Sequence, residues 1–238
     1  MFFLCMQRFH SMELLFLLYC KSVLDFTVPD FGYYNSMALS VLDATFSAQA
    51  NYTSVIHTIN RFCNHYGLDS RAIAKCPSRD CQITVSEMLE LLQGMSPEQL
   101  ADVVGNHQEV SGRLKSAVFS ECLQVFRNCG IETYQDMQEQ FDNPDLEAAL
   151  SGIRGIGPAT LSYLYMLVGD SNDVKVDRHI RAFSANATGE QNLSDEQIKA
   201  LFRHASSELS KDYPGMTPRH LDHIVWVYQS RRTINHSN

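Results

Sequence analysis

Through most of the chain, apolar residues recur every three or four positions, and no segment alternates for long at every second position. That spacing lines them up on one face of a helix with 3.6 residues per turn. Leu39, Val41, Leu42 and Phe46 predict a helix over residues 36–50, and Val55, Ile56, Ile59 and Phe62 another over about 52–65. Residues 67–82 show no period and read as irregular chain. Thr84 and Glu87 have capping-box spacing, in which each side chain satisfies the other's backbone N–H, and they open a helix to Leu92. Ser96 and Pro97 open the next, where the proline sacrifices no hydrogen bond. A break over 105–112 precedes a long amphipathic helix from Arg113 to Asn128. Further helices follow from Thr133 to Phe141 and from Asn143-Pro144 onward. Near the end, Ser194 and Gln197 repeat the capping box before a helix to about Ser210. Thr217-Pro218 then caps a last helix through Leu221, Ile224, Val225 and Val227. The expectation is an all-α chain of short helices and short connections, without internal repeats.

Two stretches interrupt this even pattern. In Gly152-Ile153-Arg154-Gly155-Ile156-Gly157-Pro158-Ala159-Thr160, two glycines bracket Ile156 between a helix ending near Gly152 and one beginning at Pro158. Without Cβ atoms such a turn can lie against another backbone, and the free N–H groups of the second helix form an anion site suited to a phosphate. The same residues also suit a plain C-cap followed by a turn. Twenty residues on, in Val176-Asp177-Arg178-His179-Ile180, Asp177 stands where a helix can begin. An aspartate there is commonly an N-cap, and the helix dipole favours a negative charge at that end.

Charge and cysteine content narrow the choices. Lys and Arg number 19 against 27 Asp and Glu, for a formal charge of -8, which argues against a nonspecific nucleic-acid coat but leaves room for a local basic face. Arg154, Lys175, Arg178 and Arg181 gather around the two stretches, with Arg231 and Arg232 at the end of the last helix. The odd count of 7 cysteines fits reduced thiols in a cytoplasmic protein rather than a disulfide framework. The apolar run from Met12 to Tyr19, bounded by Glu13 and Lys21, is too short to span a membrane and lacks the basic start of a signal peptide, so it reads as a buried helix.

Gly155-Ile156-Gly157-Pro158 followed by Asp177 resembles the signature of the helix-hairpin-helix, Gly/Pro–Asp superfamily of DNA glycosylases, with the endonuclease III-like branch as the nearest pattern. Ser47-Ala48-Gln49-Ala50 resembles a turn of those enzymes, and His220 to Trp226 resembles their last long helix. The resemblance implies two helical domains with a cleft between them. One is a helical barrel over residues 30–171; the other, 1–29 plus 172–238, carries Asp177. Hairpin and aspartate would lie at the cleft mouth.

The implied activity is excision of a damaged or mismatched base from double-stranded DNA, acting as a monomer. Such enzymes flip the nucleotide into a pocket, since a stacked base cannot be reached. Breaking the N-glycosidic bond builds positive charge on the sugar, which an ionised carboxylate stabilises, and Asp177 matches that role. Arg154, Gly155, Ile156, Gly157, Ala159, Thr160 and Arg178 match the DNA grip. Gln49 matches the side chain that fills the hole in the stack, although an amide there can equally cap its own helix. His179 can orient the carboxylate or simply pack. Phe46, Tyr52, Tyr163, Tyr165 and Trp226 are aromatic candidates for the base pocket, or core.

The departures are also informative. Bifunctional relatives carry a lysine directly before the threonine matching Thr160; here Ala159 stands there, which implies hydrolysis without strand cleavage. Lys175 lies outside that position. No cysteine follows Cys129, so the iron–sulfur cluster of many relatives is not expected, and no cofactor is implied beyond a monovalent cation at the hairpin carbonyls. Cys63, His65, Cys76 and Cys81 have irregular spacing for zinc and equally suit free buried thiols. A non-catalytic helix-hairpin-helix DNA-binding or scaffold module is the competing reading.

Overall fold

The computed structural model describes residues 2–70, 73 and 75–235, with side chains from residue 9 to residue 231. Among them are twelve helices and one two-stranded ladder. In chain order these are α1 (Phe2–Val23), α2 (Met37–Ser47), α3 (Tyr52–Tyr66), α4 (Val85–Leu91), α5 (Pro97–Val104), β1 (Glu109–Val110), β2 (Arg113–Leu114), α6 (Lys115–Asn128), α7 (Tyr134–Gln138), α8 (Pro144–Ser151), α9 (Pro158–Leu167), α10 (Arg178–Thr188), α11 (Asp195–Leu209) and α12 (Pro218–Asn235). The fold is all-α. No helix of the described residues is long and apolar enough to cross a membrane. The chain divides into two units: residues 32–170, and residues 1–31 together with 171–238.

The unit of residues 32–170 is built around α2. Met37 to Phe46 are all buried, because this helix is apolar on nearly every side and packs against α3, α6 and α9. Its polar groups are paired inside. The Tyr34 hydroxyl donates to Asp43 at 2.7 Å, Ser47 donates to the other carboxylate oxygen at 2.7 Å, and Ser40 meets the Tyr134 hydroxyl at 2.7 Å. In the other unit, Phe16 of α1 sits at the centre of the core, with its ring 5.7 Å from Phe183 of α10 and 5.1 Å from Phe202 of α11.

The two expected capping boxes form, at Thr84–Glu87 and Ser194–Gln197, and Ser96 makes a further one with Gln99 at the start of α5. Three expectations are corrected. The long helix begins at Lys115, not Arg113, because residues 109–114 form the antiparallel ladder, with Val110 opposite Arg113. Ser111 and Gly112 both have positive φ, 53° and 71°, as the tight turns that match strand twist require. The helix expected to reach Phe141 ends at Gln138. The N-terminal helix is not buried all round: Met12, Phe16, Leu17 and Cys20 face the core, while Leu14, Leu15 and Leu18 are exposed.

Candidate nucleic-acid interface and carboxylate site

The glycine hairpin is anchored from below. Ile153 and Ile156 are buried, and the Ile156 N–H donates to the Ile153 carbonyl at 2.9 Å, which closes the turn between α8 and α9. Gly155 has φ 117°, and a Cβ there would stand 2.9 Å from Val110 Cγ1 and 3.0 Å from Val118 Cγ2. The close approach is therefore to side chains of the ladder and α6, not to another backbone as anticipated. Gly157 behaves differently. It is the N-cap of α9 with φ -98°, an added Cβ would meet nothing within 4 Å, and no side chain caps the helix. Pro158 has no N–H to offer, so Ala159 and Thr160 supply the free donors of the first turn.

Arg154 is exposed above this turn, and its carbonyl accepts from Arg113 Nη1 at 3.1 Å. Arg113 is itself paired with Glu121 at 2.6 Å. Gln49 lies in the turn after α2, exposed and with φ 53°. A left-handed conformation is uncommon for a glutamine and costs roughly 1 kcal/mol or more, so the surrounding turn must enforce it. The helix end beside it is held by Lys115. That side chain is 1% exposed, and its ammonium donates to the Phe46 carbonyl at 3.0 Å and to Gln108 Oε1 at 2.8 Å. Burial pulls its pKa down to about 8. Sequence reasoning missed Lys115; the signal available was a lysine at a core-facing position of an amphipathic helix.

In the other unit Asp177 is the N-cap of α10. Its Oδ1 accepts the N–H groups of His179 at 2.8 Å and Ile180 at 3.1 Å, and the residue is half-buried. Arg178 is exposed and donates to His179 Nε2 at 3.3 Å; Arg181 is paired with Asp195. Arg231 is exposed, while the side chain of Arg232 lies outside the described residues. α12 runs beside the segment that presents Asp177. The Arg219 N–H donates to the Ser171 carbonyl at 3.1 Å, and Gln229 Nε2 donates to the His179 carbonyl at 3.5 Å. On the same helix Asp222 is 5% exposed, and burial pushes its carboxyl well above the usual carboxylate range. Asp222 was also missed, although a carboxylate flanked by Leu221, Ile224 and Val225 marks a buried acid.

Of the aromatic candidates, Phe46 is fully buried in the core and cannot touch a base. Tyr165 is 7% exposed. Tyr52 is 40% exposed, with burial of its hydroxyl end pushing its pKa up to about 12. Trp226 is half-buried and stacks on His223 with ring centres 6.4 Å apart. Cys63 is buried, which pushes its thiol up to about 11; Cys76 is half-buried and Cys81 exposed. Among the described residues no three His, Cys, Asp or Glu side chains come together as metal ligands.

No curated protein matches the chain in sequence. In three dimensions it resembles the 8-oxoguanine glycosylase/lyase of Clostridium acetobutylicum, whose crystal structure holds double-stranded DNA containing cytosine opposite 8-oxoguanine. The TM-score is 0.52 at 10% identity, over 84% of this chain and 61% of that one, so the chain spans about three-fifths of the relative's length. The likeness is one of fold alone: the chain shares an all-α fold with that structure. The family model for a domain of unknown function, DUF8548, matches residues 18–230, and the chain belongs to that family.

Proposed function

We propose that the protein is a DNA N-glycosylase that flips a damaged or mismatched base from a duplex and hydrolyses its N-glycosidic bond without cutting the strand. The observation that carries this reading is the uncapped start of α9 at Gly157 to Thr160, in a chain that also offers Asp177 at the start of α10. A bare helix start beside exposed Arg154 suits a phosphate, which binds without regard to sequence. In the proposed reaction Asp177 stabilises the positive charge that develops on the sugar as the bond to the base breaks, and it orients the attacking water. Gln49, on its enforced left-handed turn, enters the gap left by the base. Ala159 brings no amine, so no Schiff base forms and the product is an intact abasic strand.

Duplexes carrying uracil, alkylated purines, oxidised bases or mismatches test the activity and identify the lesion. On the duplex whose base is excised, Asp177→Asn should lower excision by about two to three orders of magnitude, as for loss of an electrostatic stabiliser. Its affinity for the same duplex should be equal or better. Strand breaks should appear only after alkali, and borohydride should trap no protein–DNA adduct. Full excision by Asp177→Asn removes the catalytic assignment. Binding by the wild type with no excision on any duplex favours the non-catalytic module, in which Asp177 is an N-cap and nothing more.

A further inference from the structure

Lys115 takes no step in the reaction just proposed, yet its placement lowers stability. Its side chain lies in the core at the start of α6, 1% exposed. Its partners are neutral oxygens, not acids: the Phe46 carbonyl at 3.0 Å and Gln108 Oε1 at 2.8 Å. A buried charge matched only by neutral oxygens is unfavourable, and an apolar side chain of similar volume would fill the same space without that penalty. What the ammonium does supply is a fixed link between two elements.

One end of the link is the last turn of α2. The final carbonyls of a helix lack partners within it, and the partial negative charge gathered there favours a cation. Lys115 takes the Phe46 carbonyl, one turn before Gln49. Helices that end in a left-handed residue usually place glycine there; here Gln49 holds φ 53°. The helix itself has a second anchor, because Ser47 donates to Asp43 at 2.7 Å and Tyr34 donates to the same carboxylate. The other end of the link is equally firm. The Gln108 N–H donates to Asn106 Oδ1 at 3.0 Å, and Asn106 Nδ2 donates to Thr58 Oγ1 of α3 at 2.9 Å. The Gln108 carbonyl accepts the Lys115 N–H at 3.0 Å. The ammonium thus ties the end of α2 to a braced loop.

We propose that Lys115 is a positioning residue for Gln49: by tying the Phe46 carbonyl to Gln108, it holds the left-handed turn from which Gln49 enters the gap left by a flipped base. A side chain that fills such a gap acts best when it is aimed beforehand, because an amide free to swing must lose that freedom on insertion. In the proposed grip, phosphate is held at Arg154 and the start of α9. Lys115 therefore acts on base flipping and not on affinity for the duplex backbone. The inference rests on the reading of Gln49 as the side chain that fills the gap, but its first test needs no DNA.

Backbone carbon NMR shifts of Gln49 report its left-handed conformation. Lys115→Met keeps an apolar stem and removes the ammonium, while Gln108→Leu removes the far acceptor at an exposed residue. In both, the Gln49 shifts should move away from left-handed values. Gln108→Glu, which keeps an acceptor for the ammonium, should retain the wild-type shifts. Should Lys115→Met fail to fold, Gln108→Leu carries the same test. Unmoved Gln49 shifts in the folded variants overturn the proposal. The second test uses a duplex whose base the wild type excises, with 2-aminopurine beside that base. Lys115→Met should reduce the fluorescence rise that marks flipping and lower kcat about a hundredfold, the scale of a small misplacement at the reacting geometry. Affinity for an undamaged duplex should be kept. Gln49→Ala should show the same losses, and adding Lys115→Met to it should deepen neither, because the two residues act as one unit. Losses that multiply in the double variant mean that Lys115 acts through the fold and not through Gln49, which also overturns the proposal. If the wild type excises no base, the glycosylase reading fails, while the Gln49 shifts still decide whether Lys115 sets the turn.

Discussion

The two hairpin glycines look alike in sequence but do different physical work. At Gly155 an alanine would have to hold φ 117° with its methyl about 3 Å from Val110 and Val118. That combination of strain and overpacking should cost about 2–4 kcal/mol, read as a lower denaturation midpoint. Gly157 has ordinary φ and open space, so Gly157→Ala should cost under about 1 kcal/mol, the difference between glycine and alanine as an N-cap. It should nevertheless weaken all duplexes alike, by about tenfold (about 1.4 kcal/mol), since the methyl would intrude on the proposed phosphate seat. A loss confined to one lesion would make the hairpin part of the base pocket. Lys115 and Asp222 add opposite pH dependences. The drop of the Lys115 pKa from its ordinary 10.5 to about 8 means that the unfolded chain holds the extra proton between those values. Stability therefore rises through that window by up to about 3 kcal/mol, at 1.36 kcal/mol per unit. Denaturation across the window should show the rise in the wild type and its loss in Lys115→Met. Asp222 has a raised pKa, so the folded state keeps a proton that the unfolded chain releases above about pH 4, and its contribution falls as pH increases.

At the scale of elements, what was legible is what is local. Capping boxes declare themselves over four residues, and the periodic faces of α3 and α11 follow from spacing alone. The ladder of β1 and β2 was not legible, because two-residue strands have no period to detect. It still matters to the site: Val110 packs under Gly155, and Gln108 just before it takes the Lys115 ammonium. The turn after α2 and the turn before α9 thus share one support, made of Lys115, Gln108 and Val110. That support could not be read in advance because it depends on which side chains the fold brings under the turns. Val110→Ala should leave Gly155 over a cavity and cost about 1–2 kcal/mol in chemical denaturation. If stability falls while duplex binding at the native plateau is unchanged, the ladder supports the fold alone and does not shape the grip.

For the whole molecule the deciding quantity is charge. At a formal -8 the chain repels DNA at long range, so any grip on a duplex must come from a few local cations. Of the basic candidates, Arg181 is already matched by Asp195, and Arg113 and Lys199 are likewise taken up by Glu121 and Asp173. Arg154, Arg178 and Arg231 remain exposed without an ion pair among the described residues. Each phosphate neutralised contributes about 0.9 to the slope of log affinity against log salt, so three such residues set the slope at about -3. A protein gripping through a broad basic face would give a far steeper line. Fluorescence anisotropy of a labelled duplex across a salt series measures this slope directly. Arg154→Ala should lower its magnitude by about 1 and weaken every sequence by a similar factor. A slope near zero would deny phosphate contact at the hairpin, and with it the reading of the free N–H groups of Ala159 and Thr160 as an anion seat.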